Sequence, residues 1–243
     1  MAHPSRERFI PGLLERLPGA RVVWDERDDE WHTGRRALLA HIDSDADVAL
    51  TVQDDAIVSR DLAGAVGGLM TIAGDRPVGL YVGNLDDGGV PFPELARIAD
   101  EDGLPWLETH GPHWGVAFAI PAGHVRELVE WCDQLDGRNY DARIAQFYRA
   151  RRVDCWYTWP SLVDHRCGAE NPSLLGPKSD RHAARFIGME RSGLEIDWSR
   201  PPARATGDAT ARFRDSRGRI EAVPLNGDRY RRMLDDSAWE VVV

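Results

Sequence analysis

Short apolar runs bounded by turn residues alternate along the chain with stretches whose apolar positions recur at helical spacing, the pattern of an α/β protein. Runs at 21–24, 48–52, 78–82, 106–109, 115–120 and 153–157 predict strands, and stretches 6–17, 35–42, 62–73, 93–99, 124–135 and 140–151 predict helices. In the last of these, Ile144, Phe147 and Tyr148 repeat at helical spacing. Gly64, Gly67 and Gly68 weaken the helix at 62–73 by about 1 kcal/mol each. The runs at 48–52 and 115–120 are apolar enough to be central strands covered on both faces.

The character changes after Trp198. SRPPARATGDAT reads as a linker, and 211–213 and 220–223 flank the turn signal DSRGR, which predicts a hairpin. A short helix at 228–234 and a closing strand at 239–242 follow. The expected organisation is a main α/β domain over 1–194 and a small hairpin-and-helix appendage over 195–243.

Composition narrows the class. The 243 residues are 42% hydrophobic with a net charge of −10, enough apolar content for a sizeable core. From Glu195 onward nine basic and nine acidic residues cancel, so the main domain carries the whole imbalance. An acidic chain is a poor non-specific coat for nucleic acid, which binds through phosphate neutralisation. Lys178 is the only lysine, so nearly all positive charge is arginine. No apolar run approaches the roughly 18 residues of a membrane span, and MAHPSRERF lacks a signal-peptide core, so a cytoplasmic protein with no membrane partner is expected. Cys132, Cys155 and Cys167 form no CxxC pair and predict reduced, buried thiols; a zinc site from Cys155, His165 and Cys167 would lack a fourth partner.

Three segments carry candidate chemistry. In VALTVQDDAIV an apolar strand runs into Gln53, Asp54 and Asp55. Carboxylates just past a buried parallel strand sit at the sheet edge where open α/β folds bind ligands. Adjacent like charges there need a neutralising cation, and oxygen ligands suit Mg²⁺ or Mn²⁺. The same residues also suit a plain acidic turn. In TWPSLVDHRCGAENPSLLG, His165 falls in a polar loop where it can join a metal site or a phosphate contact, or be simply packed or solvated. Ser173, Lys178 and Arg181 nearby can add phosphate contacts. Asp141 opens the helix at 140–151, as a general base or as a residue that favours the helix dipole. Upstream, THGPHWGVAFAI sets His110, His113 and Trp114 beside a glycine, where a sugar or base can approach.

The order HPSR, VVWD, WHTGRRAL, QDDA, HWG, YDARI and PSLVDH…PSL resembles nucleotide-sugar-dependent glycosyltransferases of the GT-A fold, most of all small bacterial and phage-type members. The likeness covers about residues 2–188 and rests on QDDA and PSLVDH. It implies a Rossmann-type mixed sheet flanked by helices, and a Mn²⁺ or Mg²⁺ ion bridging a nucleoside-diphosphate sugar, most simply a UDP-sugar. Carried over, Asp55 and His165 are metal ligands. His3, Pro4, Ser5, Arg6, Arg36, Gln53, Asp54 and Lys178 contact the donor, with Asp54 facing its ribose or sugar. Asp141 is the base of an inverting transfer, and His113 and Trp114 meet the acceptor. Gln53 replaces the first carboxylate of the family's DxD motif. The family's pattern also has a strand before HPSR, for which Met1 and Ala2 leave little room.

The acceptor implied is a protein or glycan hydroxyl, or a hydroxymethylated DNA base. A flipped base would stack on Trp106, Trp114 or Trp159, with Arg149, Arg151 and Arg152 tracking the DNA backbone. Two other classes stay open. A nucleotidyltransferase also uses carboxylates at a sheet edge, but PGLLERLPGAR is a poor version of its glycine-rich basic loop. A degenerate, non-enzymatic binding domain would show no cation-dependent nucleotide binding.

Overall fold

The computed structural model of the chain describes residues 1–42, 44–85, 91–137, 139–167, 181–205, 210–224, 228–236 and 238–242. The main body carries strands β1 (Val48–Val52), β2 (Ala56–Val58), β3 (Val78–Gly79), β4 (Trp106–Thr109), β5 (Ala117–Pro121), β6 (Cys155–Thr158) and β7 (Val163–His165). Its α-helices are α1 (Ile10–Arg16), α2 (Glu30–Leu39), α3 (Leu62–Ala73), α4 (Phe92–Asp102), α5 (Val125–Cys132) and α6 (Tyr140–Ala150). A 3-10 turn, Pro4–Phe9, precedes α1.

Five strands form one mixed sheet in the order β1-β5-β3-β6-β4. Only β3 and β6 pair in parallel; β1–β5, β5–β3 and β6–β4 are antiparallel. Hence β1, β3 and β6 run the same way, and their carboxyl ends share one edge with the amino ends of β4 and β5. The alternation along β5 divides the core. Ala117 and Ala119 pack toward α3 with Leu69 and Trp106, whereas Phe118 and Ile120 pack toward α5 and α6 with Leu128 and Ile144.

Three strand expectations change. Among the described residues the run at 48–52 is an edge strand, paired to β5 and antiparallel to it. Among the described residues the run at 21–24 forms no strand and pairs through a parallel bridge between Trp24 and Ala2. The run at 78–82 is a strand only over Val78–Gly79; Leu80 N still donates to Ala117 O at 3.1 Å, while its carbonyl turns away to accept from the backbones of Leu162 and Val163. Helix α2 begins five residues before the predicted start at 35, where the Asp29 side chain accepts from His32 N at 2.9 Å. Helix α3 spans the predicted 62–73 despite its glycines, with Leu62, Ala65, Val66, Leu69, Met70 and Ala73 buried along one side.

Residues 195–205 lie on the main body: Trp198 packs on Trp106 with ring centroids 4.9 Å apart, and Ala203 N donates to Trp106 O at 2.8 Å. The expected hairpin, helix and closing strand follow as β8 (Thr210–Asp215), β9 (Ile220–Pro224), α7 (Asp228–Asp235) and β10 (Trp239–Val242). They form a sheet of order β10-β8-β9 over a small core of Ala211, Phe213, Val223, Tyr230 and Met233. No helix among the described residues is long and apolar enough to cross a membrane.

Candidate functional site

Asp54 and Asp55 form the tight turn between β1 and β2, at the carboxyl edge of the main sheet. Both are buried, 4% and 1% exposed, so the pair cannot be a solvated acidic turn. Strand β2 pairs with β7 in a register that sets Ala56 opposite His165. His165 is therefore the buried last residue of a strand rather than part of a loop.

The charge on the two aspartates is met from the amino terminus. Arg6 Nη1 lies 3.0 Å from Asp54 Oδ1 and 2.8 Å from Asp55 Oδ2, and His3 N donates to Asp54 Oδ2 at 2.6 Å. Pro4 starts the 3-10 turn, its fixed φ and missing N–H being favourable at that position. His3 Nδ1 meets Ser5 Oγ at 2.7 Å and accepts from Ser5 N. Each Asp54 oxygen thus holds the 3–6 segment, so Asp54 positions that segment instead of facing a ribose. The cation that neutralises the pair is a guanidinium, a countercharge the sequence pattern assigned to a metal.

Asp55 Oδ2 also lies 3.2 Å from His165 Nε2, while His165 Nδ1 is 2.7 Å from the Arg166 carbonyl. A carbonyl only accepts, so Nδ1 carries a proton. Nε2 is thus the ring nitrogen turned toward the Asp55 carboxylate. An imidazole anchored through Nδ1–H to a backbone carbonyl is the usual support of a metal-ligating histidine. Asp55 and His165 therefore fit a divalent cation as two donors, on an oxygen that Arg6 already contacts. The three-member group of potential metal ligands among the described residues lies elsewhere, at His3, Asp25 and Asp28. There Asp25 Oδ1 accepts from the backbones of Arg27 and Asp29, which organises the loop. Cys155 starts β6 at the opposite edge from His165 and Cys167, so the suggested zinc trio does not converge.

Asp141 reaches the same edge from the first turn of α6. Gly115, just before β5, is the close approach between them: a Cβ there would lie 3.1 Å from Asp141 Cβ and 3.5 Å from Gln53 Nε2. Gln53 is fixed by its backbone, N donating to Val116 O at 2.9 Å. Asp141 Oδ1 accepts from Ala142 N at 2.7 Å, a first-turn contact.

Trp114 is half-buried against Phe92, with centroids 4.4 Å apart, and stands edge-on to Tyr81 and Tyr157. His113 is exposed, with its backbone N bonded to the Tyr157 hydroxyl. Trp106 is fully buried and Trp159 is 4% exposed, so neither can stack on an incoming base. Arg36 is held away from the carboxylates, on Trp24 O at 3.1 Å and Glu26 at 2.9 Å. Lys178 and Ser173 lie outside the described residues. Arg181, the other predicted phosphate contact, donates its backbone N–H to Cys167 Sγ at 3.3 Å and its carbonyl accepts from the Tyr81 hydroxyl.

Two features escaped the sequence reading. Asp164 accepts from His165 N, Ala183 N and the His182 ring, which ties β7 to the returning chain. Arg166 N donates to the Asp55 carbonyl at 2.8 Å, closing the turn onto the histidine strand. The run Val163–Asp164–His165 is too short for periodicity to mark it as a strand. The chain matches no known protein-family model, and no curated protein matches it in sequence.

Proposed function

We propose that the chain is a glycosyltransferase on a GT-A-like scaffold, moving a sugar from a nucleoside diphosphate, most simply UDP, to an acceptor hydroxyl. One observation carries the reading. Segments far apart in sequence bring Arg6, Asp54, Asp55 and His165 into one buried cluster at the carboxyl edge of a mixed sheet, with Asp141 beside Gln53 across Gly115.

The donor diphosphate meets Arg6 and the 3–6 segment that Asp54 holds in place. Asp55 and His165 are the residues that hold Mn²⁺ or Mg²⁺, which when bound offsets the charge building on the leaving diphosphate. Asp141 takes the proton from the acceptor hydroxyl, and attack from the face opposite the diphosphate inverts the anomeric carbon. Trp114, half-buried beside the site, offers an apolar face to a sugar ring.

A protein or glycan hydroxyl is the better acceptor than a modified DNA base. Trp106 and Trp159 are buried. Arg151 is paired with Glu127, Arg149 is in the last turn of α6, and Arg152 follows the helix.

A thermal-shift screen of nucleoside diphosphates and their sugars, with Mn²⁺ and with chelator, tests the reading. The expected result is a cation-dependent rise in Tm with one diphosphate, kept by Asp141→Asn while transfer is lost. A ligand at a hundredfold excess over its Kd stabilises by about 2.7 kcal/mol, which is readily seen. No shift with any nucleotide would favour a non-enzymatic binding domain.

A further inference from the structure

Besides the cavity of about 420 Å³ that opens on Asp54 and belongs with the candidate site, a second of about 290 Å³ lies between the main body and α7. Four arginines line it from two separate stretches of chain: Arg149 and Arg152 at the end of α6, and Arg231 and Arg232 within α7. Tyr230 seats α7 on the body, its ring 5.7 Å from that of His110. Three carboxylates share the lining and leave two of the four guanidinia unmatched. Asp154 is taken up by His110 at 2.8 Å and Arg231 at 3.5 Å. Asp228 and Asp235 stand at opposite ends of α7, about 10 Å apart along its axis. Among the described residues neither Arg152 nor Arg232 makes an ion pair.

Arg152 stands where the backbone favours glycine. Helix α6 ends in a Schellman closure: Arg152 N donates to Arg149 O at 2.9 Å and Val153 N to Tyr148 O at 3.0 Å, with Arg152 itself at φ +56°. Glycine is the usual residue there, because a side chain is strained in the left-handed conformation. The closure occupies the Arg149 and Tyr148 carbonyls, so this end of the helix offers the cavity guanidinium groups. Arg149 is aimed by its Nε, which donates to the His110 carbonyl at 3.1 Å.

We propose that this cavity binds a phosphoryl oxyanion, either inorganic phosphate or the phosphate of a small phosphomonoester, held between Arg152 of the main body and Arg232 of α7. A tetrahedral dianion offers each guanidinium its own oxygens, in charge-assisted bonds that two arginines on facing elements can make together. Arg149 and Arg231 line the same space and add to its positive field. The volume lies near the lower end of small-molecule sites, about 300 Å³. Four guanidinia against three carboxylates suit one such group and not a nucleic-acid backbone, which needs a run of unmatched cations. Bound there, the anion ties α7 to the end of α6. It needs no metal ion, and the inference stands whatever reaction the turn carrying Asp54 and Asp55 serves.

The test titrates inorganic phosphate and glycerol phosphate into the full chain in the presence of chelator, against chloride at matched ionic strength. The expected result is a saturable rise in Tm of at least about 2 °C that chloride does not give. Amide exchange at Arg231–Leu234 should slow by about threefold or more. Tighter binding of glycerol phosphate would make the ligand a phosphomonoester, and tighter binding of inorganic phosphate would make it the free ion. Arg152→Gly, which relieves the positive φ, and Arg232→Gln should each keep their Tm without phosphate and weaken its binding by about tenfold or more. Asp55→Asn should bind phosphate as the parent does. An equal rise with chloride, or phosphate affinity unchanged in both arginine variants, would overturn the proposal. So would phosphate binding that is lost in Asp55→Asn, which would place the anion at the other cluster.

Discussion

Helix α6 separates two charged clusters that look alike in sequence and differ in physics. At its first turn, Asp141 stands near the Asp54–Asp55–Arg6–His165 group, whose two aspartates are 4% and 1% exposed. About 16 Å along the helix, Arg149, Arg152, Arg231, Arg232, His110 and Asp154 surround a second cavity between the main body and α7. The second group has more arginines, but its contacts are ordinary surface pairs: His110 to Asp154 at 2.8 Å and Arg231 to Asp154 at 3.5 Å, on side chains 21–32% exposed. The first group takes charged residues out of water from three separate stretches of chain, an arrangement that is costly unless each member is paired. Burial and convergence mark the site; a count of charges does not.

Four variants press on that contrast. The largest effect belongs to Asp141→Asn, expected to lower transfer by about 10²–10⁴-fold with nucleotide binding intact, since general-base catalysis is worth that much. Unchanged turnover would reduce Asp141 to a helix-dipole residue. Next comes Arg6→Met, which leaves Asp54 and Asp55 short of their cation and is expected to cost about 3–5 kcal/mol in urea unfolding. Arg231→Met at the other cluster should cost below about 1 kcal/mol; equal losses would erase the distinction. Gly115→Ala crowds Asp141 at 3.1 Å and should cost about 1–3 kcal/mol while lowering transfer.

The smallest effect is at Asp154. Burial pushes its pKa up, but the His110 hydrogen bond and the charges of His110, Arg231 and Arg76 outweigh it, so the net shift is downward. Its contribution is therefore present at neutral pH and is lost as pH falls through the carboxylate range. Asp154→Asn should lose below about 1 kcal/mol at pH 7, with the gap from the parent closing below about pH 4 in acid-unfolding curves.

Elements with their own periodicity were legible in the sequence. Helix α3 survives three glycines because its six buried positions line one side, and the tail hairpin follows its turn signal. Elements defined by a partner were not. Strands β2 and β7 are three residues each and exist through one another, so neither they nor the delivery of His165 to Asp55 could be read from spacing. The 21–24 run has β-forming residues but, among the described residues, pairs only through the bridge to Ala2. Of the candidate site, QDDA marked the turn; that a guanidinium supplies its countercharge required the fold of the first six residues.

The most direct test is equilibrium titration of UDP, with Mn²⁺ and with chelator, into the parent chain, Asp55→Asn and Asp154→Asn. Cation-dependent binding is expected to the parent and to Asp154→Asn, with Asp55→Asn weakened by at least about tenfold, a loss of about 1.4 kcal/mol. Binding that survives Asp55→Asn and is lost in Asp154→Asn would move the site to the arginine-rich end of α6 and contradict it.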